Sequence, residues 1–129
     1  MNNKKENILD LYEISVKIGK DGVKSRLSKY RAKFTGQNYL PVRLTEEEEK
    51  SGYVGCFSQR IKNSEILKVQ RIGLSDSSDH ISRYIYFLDN QKEQAINLIK
   101  EELDKTISKM FSDINELYKV WVNRHEAKE

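Results

Sequence analysis

One cysteine and one proline stand in 129 residues, and no apolar run approaches the ~20 residues a membrane-spanning helix requires. A lone Cys56 has no intramolecular disulfide partner, which fits a reducing, cytoplasmic setting. The opening stretch MNNKKENILDLYEI contains no apolar segment of the kind that marks a secretory signal. Repeats, low-complexity linkers and Pro/Gly-rich hinges are absent, so the expectation is a single domain over 1–129. Phosphate-cradling loops are missing as well: GKDG and SGYVG lack the Lys-Ser/Thr ending and the strand–loop–helix setting such a loop needs.

Chemistry-bearing constellations are equally sparse. Cys56 has His80 as its nearest histidine in sequence, and a lone cysteine among β-forming residues reads as packing. Asp76, Asp79 and His80 offer two carboxylates and one imidazole, a poor zinc set without further His or Cys. The run Glu46–Glu49 points its carboxylates in different directions around a turn, so they do not converge on one substrate atom. The expectation is a protein with no catalytic residues, no metal and no cofactor.

What is present is charge and periodicity. Charged residues make up 33% of the chain and hydrophobic ones 37%, the balance of a charge-rich globular protein. The Lys-, Asn- and Ile-rich composition fits a low-GC bacterium, or a phage or plasmid that lives in one. The net charge is +3, yet GKDGVKSRLSKYRAKFTG, residues 19–36, holds six basic residues against the single acid Asp21.

Tyr12, Ile14, Val16 and Ile18 alternate with polar residues and predict a strand, closed by the turn chemistry of GKDG. In the basic stretch, Val23, Leu27, Tyr30 and Phe34 fall within about 60° of one another at helical spacing. That spacing predicts an amphipathic basic helix, with Asp21 as its cap and Gly36 as its stop. YLPVRL (39–44) reads as an edge strand, since Pro41 cannot donate to a ladder. Thr45 and Glu48 form a helix-start signature. Residues 53–61 and 66–74 read as strands of a hairpin, and 82–88 as a third consecutive strand. From Asn90 onward, with Asp89 as the expected cap, Ile96, Ile99, Leu103, Ile107, Met110, Ile114, Leu117 and Trp121 recur every three or four residues, one face of a long helix.

The fold expected is α+β: an antiparallel sheet of about four strands, in the order β-α-(β)-β-β-β-α. Residues 8–88 supply the sheet and basic helix, and 89–125 the long C-terminal helix. In element order this resembles small nucleic-acid-binding α+β domains, the double-stranded-RNA-binding domain among them. That domain's basic start to its last helix has no match in NQKEQAINLIK, so no residue carries over.

Two functions follow from the charge and the helix. In the first, Lys24, Arg26, Lys29, Arg31 and Lys33 contact the phosphates of a nucleic acid. In the second, the chain inhibits or regulates another protein, such as a nucleic-acid-handling enzyme, in the manner of phage and plasmid anti-defence inhibitors. It would do so through an acidic surface at Glu46 and Glu47 or through Met110, Ile114, Leu117 and Trp121. A helix of about 50 Å outruns a seven-residue strand of about 23 Å. Its distal apolar positions therefore need a symmetry mate, another protein, or a break near Ser112–Asp113 that folds them back. Tyr84 and Tyr86 share one face of the last strand, and stand near Lys68 and Gln70 if that face stays open; a sheet covered on both faces is the simpler expectation.

Overall fold

A computed structural model describes residues 7–55, 57, 60–72, 76–77 and 80–126. Cys56, Asp79 and parts of the two expected strands at 53–61 and 66–74 lie outside those residues. Contacts divide the chain into two compact units, Met1–Ile99 and Lys100–Glu129.

The first unit is built on a long hairpin. β1 (Ile8–Gly19) and β2 (Gly22–Phe34) pair antiparallel from Ile8↔Lys33 to Gly19↔Gly22. Only Lys20 and Asp21 stand between the paired glycines, the tightest common connection, and Gly22 takes a φ of +107° that a side chain would resist.

The basic stretch is therefore a strand, not the helix its spacing predicts. Val23 and Leu27, half of the expected helical stripe, are 67% and 51% exposed. The tight turn lays the chain directly back on β1. In the second half of β2, Tyr30, Ala32 and Phe34 share one face at period two and meet Leu11 and Leu9 across the ladder. That non-local pairing outweighs a helical spacing carried by four residues.

β3 (Asn38–Pro41) pairs with the end of β2 and places Pro41 opposite Ala32. Thr45 caps α1 (Glu46–Lys50), with both bonds of the capping box formed: Glu48 N donates to Thr45 Oγ1 at 3.2 Å, and Thr45 N to Glu48 Oε1 at 2.9 Å.

Where a hairpin of long strands was expected, the described residues form β4 (Ile61–Lys62) and β5 (Gln70–Arg71). A 3₁₀ turn at Asn63–Glu65 joins them, and Leu67 takes a φ of +61°, which breaks any continuous strand there. β6 (His80–Leu88) pairs along β1, giving a six-stranded antiparallel sheet in the order β4-β3-β2-β1-β6-β5. About four strands were expected. The excess is β2, expected as a helix, together with the edge strand β3 at Asn38–Pro41.

Both faces of the sheet bury apolar groups. One carries the cluster Leu11, Ala32, Tyr39, Phe57 and Ile61, with Tyr30, Phe34, Ile66, Tyr86 and Leu88 packed against it. The other carries Ile14, Ile81, Ile85 and Phe87, all buried. After a 3₁₀ turn at Asp89–Gln91, α2 runs without interruption from Lys92 to Glu126. Asp89 does not cap it: its carboxylate accepts from Tyr12 Oη at 3.0 Å, and the Gln91 side chain accepts from Leu88 N instead. Ala95 and Ile99, one turn apart, are the buried residues of α2. There is no break at Ser112–Asp113, so α2 does not fold back on itself. Among the described residues no helix is long and apolar enough to cross a membrane.

Candidate nucleic-acid interface

Because side chains alternate along a strand, turning a basic helix into β2 splits its charges between two faces. Lys29, Arg31 and Lys33 go to one side, Lys24 and Arg26 to the other.

On the first side the charges are engaged. Arg31 lies 2.8 Å from Asp10 Oδ1, and its Nε lies 2.9 Å from Glu48 Oε2, an ion contact that lacks hydrogen-bond geometry. Tyr53 donates to the same Asp10 oxygen at 2.7 Å, and its ring lies 4.3 Å below Lys29 Nζ. The acidic helix thus neutralises part of the basic strand through Glu48, while Glu46 and Glu47 remain exposed. Lys33 sits half-buried opposite Ile8 and Leu40.

On the second side the strand registers assemble a grid. Lys24 faces Lys17, and Lys17 faces Ser82. One step along, Arg26 faces Ser15, Ser15 faces Tyr84, and Tyr84 faces Gln70. One step further, Ser28 faces Glu13 and Glu13 faces Tyr86. Beyond that row the face becomes the apolar cluster, so this is its polar half.

Lys17 opposite Lys24 is a like-charge cross-strand pair, an arrangement that costs stability. Lys17, Lys24 and Arg26 are exposed, and none forms an ion pair among the described residues. An open depression of about 370 Å³ at the hairpin end is lined by Lys17, Lys20, Asp21, Lys24 and His80.

The tyrosines beside these cations are half-buried, with ring centroids 5.6 Å apart in an edge-to-face arrangement. Tyr84 Oη donates to Gln70 Oε1 at 3.1 Å. Burial, and then the Glu13 carboxylate, holds the Tyr86 hydroxyl well above the usual phenol range, and burial raises Tyr84 likewise. Both therefore stay protonated donors. Gln70 Nε2 and Ser82 Oγ are buried and have no hydrogen-bond partner among the described residues.

No protein-family model matches the chain, and neither does any curated protein or solved structure.

Other candidates resolve differently. Asp76 accepts two 2.7 Å hydrogen bonds from Arg83, and no group of three or more His, Cys, Asp or Glu that could hold a metal occurs among the described residues. On α2, Phe111, Ile114, Leu117, Tyr118, Val120 and Trp121 are each at least half exposed, and Met110 is half-buried. Sequence reasoning missed Lys17 and Ser15 as the cross-strand partners of Lys24 and Arg26, and Glu13 and Ser82 as residues of the same face. The signal was present: counting outward from a two-residue turn between Gly19 and Gly22 pairs Lys17 with Lys24.

Proposed function

We propose that the chain is a non-enzymatic binding protein that holds single-stranded nucleic acid on the polar half of this sheet face. The observation that supports it is the register. It gathers Lys17, Lys24 and Arg26, none in an ion pair among the described residues, on one face with the half-buried Tyr84.

Three cations at the hairpin end suit successive phosphates, and an aromatic face beside them takes an unstacked base. Glu13, one row further in, repels phosphate and keeps the backbone on the hairpin side. Its carboxylate accepts hydrogen bonds, so it suits base amino groups rather than the sugar–phosphate chain. Phosphate contacts fix position, and stacking tolerates any base, so broad sequence tolerance follows. Nothing in this arrangement activates a nucleophile or stabilises a leaving group; the chemistry is association.

Anisotropy of labelled twelve-residue oligothymidine and oligouridine, measured across a salt series, tests the reading. Binding through three phosphates gives a slope of log affinity on log salt near −2, from about −0.7 per phosphate on single strands. Lys24→Gln/Arg26→Gln should flatten that slope by about 1.4. Tyr84→Ala should weaken binding by about 1–3 kcal/mol and leave the slope in place. An absence of binding at low salt, or a slope untouched by the double change, defeats the proposal.

A second reading, a regulator or inhibitor that acts by binding another protein, is favoured by a separate observation: the exposed apolar stripe on α2.

A further inference from the structure

The distal part of α2 carries a surface that water does not suit. Ile107, Met110, Ile114, Leu117 and Trp121 follow a 4-3 heptad spacing, with Ile107, Ile114 and Trp121 at a and Met110 and Leu117 at d. Phe111 and Tyr118 flank that seam at e, and Val120 at g. Phe111 and Leu117 are 69% and 71% exposed. The aromatic end is already ordered: the Tyr118 and Trp121 rings stack at 6.1 Å, and Trp121 and His125 lie 4.6 Å apart.

We propose that this face is covered by the same face of a second copy of the chain, running antiparallel. Charge and side-chain size choose the occupant and its direction. In a parallel pair each a and d residue meets itself, which sets Arg124 at d on Arg124 of the partner and Trp121 on Trp121.

Antiparallel pairing removes both conflicts. Layers then join an a residue to a d residue: Ile114 with Leu117, Trp121 with Met110, and Ile107 with the stem of Arg124. At the flanks Phe111 meets Tyr118, and Asp104 meets His125 beside Arg124, an acid facing a base at each end. The segment is complementary to itself in this one direction. The area is sufficient as well. An aromatic residue buries about 150–250 Å², so Phe111, Tyr118 and Trp121, each more than half exposed, supply roughly 300–400 Å² per copy. That is close to half of the ~800 Å² per partner of a standard interface, before Ile114, Leu117 and Val120 are added.

The test uses the full chain. Light scattering should return twice the 15.2 kDa chain mass at tens of micromolar, and Leu117→Glu/Trp121→Glu should give the single-chain mass with an unchanged near-ultraviolet tyrosine signal from the sheet. Direction is read from Asp113→Cys/Val120→Cys, made with Cys56→Ser. These two positions lie too far apart on one helix to bond to each other, but face one another across an antiparallel pair. Oxidation should convert that variant quantitatively into a covalent dimer on a denaturing gel, whereas either cysteine alone should not. A single-chain mass at all concentrations overturns the proposal. So does a dimer that persists in Leu117→Glu/Trp121→Glu, or one that fails to cross-link through the paired cysteines.

Discussion

Phe87→Ala is expected to lower stability by about 3–5 kcal/mol in urea unfolding, the range for removing a fully enclosed aromatic ring. Phe87 is 1% exposed on the central pairing of the sheet, with the Tyr12 ring stacked at 5.3 Å and 16°. Tyr12 cannot move into the gap freely, because its hydroxyl donates to Asp89 at the end of β6. Desolvation and that carboxylate push the Tyr12 hydroxyl up to about 12. Leu27→Ala is the matched control. A helix with Leu27 in its buried stripe would lose about 2–5 kcal/mol from that change. On a strand, with the side chain half exposed, the loss should stay near about 0.5 kcal/mol. A large loss at Leu27 would restore the helix and dismantle the grid of residues built on β2.

Asp76→Ala should cost about 2–3 kcal/mol at neutral pH. Arg83 is 4% exposed, and both of its terminal nitrogens are held by Asp76 at 2.7 Å. Removing the acid strands part of a buried guanidinium, for which a full loss of pairing costs about 3–5 kcal/mol. The smaller figure applies because Arg83 Nη1 also donates to the Ser82 carbonyl at 2.9 Å and the side chain is not left without partners. The Arg83 hydrogen bond holds the Asp76 carboxyl below its ordinary 3.8. A carboxylate lowered by folding adds stability that is fully present above 3.8 and is lost as pH falls through the lowered folded value. The parent should therefore lose stability on acidification below that point more steeply than Asp76→Ala, whose deficit shrinks in acid. Parallel acid-unfolding curves for the two proteins would contradict the pairing.

How much of this was legible in the sequence varies by element, for physical reasons. α2 was legible because a helix reports itself through contacts within four residues, and its stripe persists over many turns. The same locality made α1 legible: Thr45 and Glu48 satisfy each other wherever the segment sits. β1 announced itself by alternation and β6 by its run of β-forming residues, and the sharing of one face by Tyr84 and Tyr86 followed directly.

β2 was not legible from its own residues. Val23, Leu27, Tyr30 and Phe34 satisfy a helical spacing, and only the two-residue turn and the partner residues on β1 decide against it. The short strands β4 and β5 were overestimated for the opposite reason. Their segments are rich in β-formers, yet Leu67 in a left-handed conformation and the backbone bond from Val54 N to Lys29 O turn the chain elsewhere. The candidate interface inherited the error at β2. Its cations were visible as a charge run, but which of them share a face depends wholly on register. Register also shows that Arg31 and Lys29 are occupied by Asp10, Glu48 and Tyr53.

The most direct test of the proposed interface is a residue-resolved NMR titration of the intact chain with unlabelled twelve-residue oligothymidine at low salt. The account predicts that the largest changes fall on Lys17, Lys24, Arg26, Gln70 and the Tyr84 ring, and reverse on adding salt. Changes confined to Lys29, Arg31 and Tyr53 on the opposite face, changes confined to α2, or none at millimolar oligonucleotide would contradict it.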